Sequence, residues 1–197
     1  NALTGAYLVL KETTDRNNNP VLESCTQTSI ANALMDMATL GLSVQRKQGY
    51  FIAYGKKCWF QRSYFGNITI ARRYGLKKIS AEVIYEGDDF KYAIVDGEKR
   101  LVKHEQDFEN IDITKVKGAY TVITMEDGSK TLEVMNISQL KQAWKQGYGY
   151  KEGSGTHAKF TDQMAKKTVM NRALNQIINT HGDEFVQEAD ERTKEIP

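Results

Sequence analysis

The stretch CWFQRSYFGNITIARRYGLKK, residues 58–78, decides how this chain is read. It opens on a strand-like run, CWFQR. Ser63 or Tyr64 then starts a helix whose inner face is marked by Ile68, Ala71 and Tyr74 or Tyr64, and Gly75 closes it. A strand that feeds a helix, with alternating segments beyond it, argues for an α+β fold.

The charge around this stretch has one sign. No Asp or Glu lies between Asp36 and Glu82, whereas Arg46, Lys47, Lys56, Lys57, Arg62, Arg72, Arg73, Lys77 and Lys78 do. The whole chain carries only +2, so the remainder sums to −7. A local patch of this kind attracts polyanions whatever the overall balance. Trp59, Phe60, Tyr64, Phe65 and Tyr74 sit among the cations. Cations hold phosphates and flat rings stack bases, which is the chemistry of single-strand binding. An arginine near a helix C-terminus is favourable on its own account, which explains Arg72 or Arg73 singly but not nine cations in an acid-free span.

Working back toward the N-terminus, residues 50–54 and 58–62 read as two strands around a tight basic hairpin, Gly55-Lys56-Lys57. Before them, Thr26 or Thr28 caps a helix that runs to about Leu40, with Ile30, Ala33, Leu34 and Met37 on one face, and Gly41 stops it. Residues 15–20, DRNNNP, are a loop. Leu3, Ala6, Tyr7 and Leu10 follow helical spacing, with a strand over 7–10 as the rival.

Toward the C-terminus, short segments at 79–85, 90–95, 116–125 and 130–136 predict an antiparallel meander, with Glu126-Asp127-Gly128-Ser129 as a hairpin turn. The region is rich in acid, and a contact between it and the basic patch of a neighbouring copy would give head-to-tail assembly. His104, Glu105, Asp107 and Glu109 suggest a metal, but they have no second histidine nearby, and a solvated loop is the expectation. Residues 137–145 read as a helix capped by Asn136 or Ser138, and residues 146–156, QGYGYKEGSGT, as a mobile glycine-rich loop. That loop lacks the Gly-Lys-Ser/Thr ending of a phosphate loop. A last helix over about 160–178 buries Phe160, Met164, Thr168 or Ala165, Ala173 or Leu174, and Ile177. It presents Lys159, Lys166, Lys167 and Arg172 on a basic side.

The 197 residues suit one core domain, 1–182, followed by an acidic tail, 183–197, expected to be frayed or docked on a partner. The apolar runs are too short for a membrane span, no signal peptide is visible, and a cytoplasmic protein is expected. The chain begins at Asn1, so it reads as a fragment or a processed chain. Cys25 and Cys58, its two cysteines, read as buried reduced thiols.

Several motifs in order resemble a known family. They are Leu40-Gly41-Leu42, Gly49-Tyr50 at the start of the hairpin, Phe60-Gln61-Arg62-Ser63-Tyr64-Phe65-Gly66, and Ile70-Ala71-Arg72-Arg73-Tyr74-Gly75. Val83-Ile84-Tyr85-Glu86-Gly87-Asp88 and Met164-Ala165-Lys166-Lys167-Thr168-Val169 follow. Over about residues 25–180 this resembles the RecT/Redβ family of phage single-strand annealing proteins, with Phe65 where members often carry lysine. The resemblance implies an α+β core, ATP-independent binding of single-stranded DNA, and pairing of complementary strands. It also implies homo-oligomeric rings or helical filaments holding the DNA in a continuous basic groove. The implied partners are a phage exonuclease and the host single-strand-binding protein, and the resemblance leads one to expect a family N-terminal segment ahead of residue 1.

Annealing needs no covalent chemistry and no cofactor. Cations neutralise two mutually repelling backbones and leave the base edges free. Phosphate contacts are expected from Arg62, Arg72, Arg73, Lys77, Lys78, Lys159, Lys166, Lys167 and Arg172, with Lys56 and Lys57 at the hairpin tip. Gln61, Tyr64 and Asn67 are expected to bond backbone or sugar, and Trp59 or Phe65 to stack on bases. An enzyme is not expected, because His104, His157 and His181 are scattered and no nucleophile motif is present. A non-annealing binder of single-stranded DNA or RNA shares all of these electrostatic features, and a protein scaffold would use the acidic meander instead.

Overall fold

The computed structural model describes residues 2–147, 150, 153–181, 186 and 188. It divides into two compact units, Asn1–Tyr74 with Gln176–Pro197, and Gly75–Asn175. Helices and small antiparallel sheets make up both, so the fold is α+β as expected.

In the first unit, α1 spans Ala2–Glu12. The helical reading holds, but its buried stripe is narrow: Ala6 and Leu10 are buried, while Leu3 and Tyr7 are half exposed. In the loop that follows, Asp15 accepts hydrogen bonds from the backbone of Asn19 and Asn17, each at 2.8 Å. The Asn19 contacts above all hold its carboxyl below the usual carboxylate range. A single turn, α2 (Val21–Ser24), leads to α3 (Gln27–Thr39). Thr26 caps α3 by accepting from the Ser29 amide, and Gly41, at φ +58°, ends it in the left-handed region.

Strands β1 (Gly49–Tyr54) and β2 (Lys57–Arg62) form the expected hairpin. The pairs Phe51–Phe60 and Ala53–Cys58 face inward and are buried, because side chains alternate between the two faces of a pleated pair. Cys58 donates its amide to Ser29 Oγ of α3 at 2.9 Å, which ties the hairpin to that helix. Both thiols are free, and burial pushes Cys58 up to about 12.

Ser63 caps α4 (Tyr64–Arg73), accepting from the Gly66 amide at 3.2 Å. The inner face of α4 carries Gly66, Asn67, Ile70 and Ala71, and the expected Ile68 is turned half out. The backbone of Gln48 lies so close to Gly66 that any Cβ there would collide with its carbonyl. Position 66 must therefore face inward, and Ile70, four residues on, shares its face.

In the second unit the strands are β3 (Leu76–Tyr85), β4 (Asp89–Val95), β5 (Glu98–Glu105), β6 (Val116–Met125) and β7 (Lys130–Asn136). The strand order differs from a simple meander. β3 pairs with β6 and β6 with β7, while β4 and β5 form a separate two-stranded ribbon. The expected loop at His104 and Glu105 is instead the end of β5. His104 is buried there between Asp88 and the Tyr120 hydroxyl, at 3.2 and 3.1 Å.

Helix α5 (Ile137–Lys145) begins with a reciprocal capping box between Asn136 and Gln139. A short α6 (Thr156–Lys159) precedes α7 (Thr161–His181). Phe160 is exposed rather than buried, because it caps the end of α6 and falls outside the period of α7. Ala165, Val169, Ala173, Leu174 and Ile178 form the buried stripe, with Ile178 in place of Ile177. Leu140 and Trp144 of α5 and Ala165 and Val169 of α7 pack with Val83, Ala119 and Met135 of the sheet. Of the expected 146–156 loop, Tyr148, Gly149, Lys151 and Glu152 lie outside the described residues, as does the expected tail 183–197 apart from Val186 and Glu188. No described helix is long and apolar enough to cross a membrane.

Candidate nucleic-acid interface

The hairpin of the first unit has an outward face. Alternation puts Tyr50, Ile52 and Tyr54 of β1 opposite Gln61, Trp59 and Lys57 of β2, and none of the six is fully buried. The Lys57 ammonium lies 5.8 Å from the centre of the Trp59 ring. The Trp59 Nε1 has no hydrogen-bond partner among the described residues. Lys56 is exposed at the turn, and its carbonyl accepts from the Thr26 amide. Arg62 pairs with Gly49 on the inward side and is half-buried.

Helix α4 carries the rest of this set. The Tyr64 ring lies tilted by 33° against Phe65 with centroids 4.0 Å apart, and burial, then Tyr50, raises its hydroxyl pKa. Asn67 is 7% exposed, so its amide faces the interior rather than a strand of DNA. The neighbouring arginines divide in role. Arg73 donates Nη1 to the Leu40 carbonyl at 2.8 Å and Nη2 to the Gly41 carbonyl at 3.1 Å, so it closes the C-terminus of α3. Arg72 is exposed and has no ion pair among the described residues.

The second unit presents its own cations. Lys77 and Lys78 are exposed at the start of β3. Lys166 pairs with Glu82 at 2.7 Å, and Arg172 with Glu133 at 3.0 Å. The charges in both pairs are largely solvated on at least one side, and such surface pairs contribute about 0–1 kcal/mol, so a phosphate can replace the carboxylate at little cost. Lys159 and Lys167 are exposed and unpaired among the described residues.

Sequence reasoning missed the supports of the interface. Gln48 accepts from the Ser43 amide and donates to Thr69 Oγ1, at 2.8 and 3.0 Å, and Ser63 donates its hydroxyl to the Lys47 carbonyl at 2.6 Å. These bonds fix the start of the hairpin against α4. The available signal was Ser63 as a cap; its second bond needed the fold. No cluster of three or more metal-ligating side chains occurs among the described residues.

Comparison with known proteins gives this surface a context. The family model described as "RecT family" matches residues 3–197. The chain is 28% identical to protein RecT of Escherichia coli strain K12 over 181 residues, which cover 86% of this chain and 65% of that protein. It is 28% identical to the uncharacterized protein YqaK of Bacillus subtilis strain 168 over 189 residues, 91% of this chain and 62% of that protein. The chain thus spans less than two thirds of the length of these curated relatives.

Proposed function

The chain belongs to the RecT family, and from that premise we propose that it binds single-stranded DNA and anneals complementary strands without ATP, in recombination. The observation that carries the reading is the acid-free span between Asp36 and Glu82, whose cations Lys56, Lys57, Arg72, Lys77 and Lys78 are exposed. Cations that have no carboxylate competitor are available to phosphate. In the first unit Trp59 and Gln61 share the outward face of the hairpin with Lys57, Tyr64 opens α4, and Arg62 is half-buried. In the second unit Lys159 and Lys167 have no ion pair among the described residues, and Lys166 and Arg172 exchange carboxylate for phosphate. Arg73 works mainly by holding α3 in place, and Asn67 acts from inside α4.

Neutralised backbones approach, and base edges left in solvent find their complements. The chemistry needs no nucleophile and no bound metal. By the same family reasoning the working form is a homo-oligomeric ring or helical filament in the cytoplasm, which receives strands from an exonuclease and a single-strand-binding protein.

The test mixes two complementary labelled oligonucleotides with the protein, without nucleotide or metal. Faster duplex formation than in buffer is the expected result. Binding without acceleration would favour the second reading, a non-annealing single-strand binder. If about four phosphates are neutralised per protomer, log affinity falls with log salt at a slope of about −3. A flat salt titration would remove the electrostatic basis of both readings.

A further inference from the structure

Two adjoining cavities in the second unit, of about 500 and 430 Å³, meet at one trio of rings: Trp144, Tyr150 and His157 line both. The ring centroids of Trp144 and His157 are 5.0 Å apart. Tyr150 meets His157 edge-on at 5.3 Å. Trp144 has a structural task, because its Nε1 donates to Thr168 Oγ1 at 2.8 Å and its ring is buried in the core. His157 has none of this kind. Neither ring nitrogen has a hydrogen-bond partner among the described residues. Burial, and then the charge of Lys167, hold its pKa below the usual histidine range. A neutral imidazole there offers one donor and one acceptor.

The charge around the rings is unspent. Lys167 lines the larger cavity and Lys141 the smaller, and neither makes an ion pair among the described residues. Lys166 and Arg172 on the same helix are both paired. Among the described residues the one acid lining the cavities is Glu86, 3.9 Å from Lys117. Volumes of this size lie in the range of ligand pockets, about 300–1,000 Å³. Ring walls, cations without an ion pair and an imidazole whose nitrogens are unbonded among the described residues together fit a planar heterocycle joined to an anion.

We propose that the larger cavity takes one unpaired nucleotide of a single-stranded DNA, its base against Tyr150 and His157 and its phosphate on Lys167. The proposal rests on the annealing reading above and adds to it a contact with a base. Stacking of a base on these rings competes with its stacking in a duplex, so the contact favours an unpaired strand.

The test uses an oligonucleotide with a single 2-aminopurine, whose emission falls when it stacks on a ring. Binding to the wild-type protein is expected to quench it beyond the level of the free oligonucleotide. Tyr150→Ala and His157→Ala are each expected to reduce the quench several-fold, with circular-dichroism melts showing that both variants fold. If both folded variants bind the oligonucleotide and quench it as the wild type does, the nucleotide cavity is overturned and the annealing reading stands. If the wild type binds no oligonucleotide at low salt, both fall. Titration with 2-aminopurine deoxyribonucleoside monophosphate separates the sources. Quenching of the free nucleotide without quenching in the strand would overturn the assignment to DNA.

Discussion

Two antiparallel hairpins of similar size, β1–β2 in the first unit and β4–β5 in the second, are stabilised in different ways. β1–β2 turns through Gly55 at φ +58°, and β4–β5 turns through Asp96 and Gly97 at +53° and +82°. Both turns meet the positive-φ demand of tight hairpins. Above the turns they differ. β1–β2 buries Phe51, Ala53, Cys58 and Phe60 and hydrogen-bonds to α3. β4–β5 leaves Tyr92, Ile94, Val95, Leu101 and Val102 exposed. Its anchor is mainly polar, beside the packing of Phe90 on Tyr120 with ring centroids 5.3 Å apart. Asp88, with its side chain fully buried, accepts from the Tyr85 amide, Gln106, Asn110 and His104, and His104 reaches Tyr120. An isolated two-stranded hairpin is marginal in water, so each needs an anchor; one is held by apolar burial and the other by a hydrogen-bond network.

Substitutions sharpen this contrast. Phe60→Ala removes a buried ring from the first hairpin and is expected to cost about 3–5 kcal/mol in denaturant unfolding. A loss below about 1 kcal/mol would show that the inward face is not what holds it. Asp88→Asn attacks the second anchor. An amide cannot accept as many hydrogen bonds as a carboxylate, so a loss of about 1–3 kcal/mol is expected.

The same carboxylate sets a pH dependence. Burial alone would raise its pKa, but the bonds from Tyr85, Gln106, His104 and Asn110 outweigh that and hold it below the usual value. A depressed carboxylate pKa stabilises the fold above the unfolded value of about 3.9, and that stability is lost as the pH falls through the folded value. Unfolding midpoints measured across pH 2–6 should therefore drop below about pH 4 in the wild type and drop less in Asp88→Asn. Parallel curves would dismiss Asp88 as the cause.

Arg73→Ala opens the end of α3 and is expected to cost about 1 kcal/mol in a thermal melt. Arg72→Ala should leave the melt in place and weaken single-strand binding instead. The reverse pattern would exchange the roles assigned to the two arginines. Ile94→Ala, on the exposed face of the second hairpin, should change stability by less than about 0.5 kcal/mol. A larger loss would mean that this face is covered in solution.

The first hairpin was legible because its apolar residues alternate and its turn contains glycine. The second strand of the other was not. EKRLVKHE carries as many charges as a loop, and nothing local tells its backbone that β4 lies alongside. His104 looked like part of a solvated acidic run because Asp88 and Tyr120 are each 16 residues away. The cations were read correctly as an acid-free set, but the pairing of Lys166 with Glu82, 84 positions apart, was invisible.

By itself the sequence determined the longer helices, a pair of candidates for each cap, the basic hairpin, the one-signed charge and the family. These depend on neighbours a few residues apart, where periodicity and backbone preference act directly. Tertiary structure decided strand order, the burial of His104 and Asp88, the division of labour between Arg72 and Arg73, and the ring-lined cavity at His157. Each of these depends on groups distant in the chain meeting at hydrogen-bond or van der Waals range, and no local pattern encodes such a meeting.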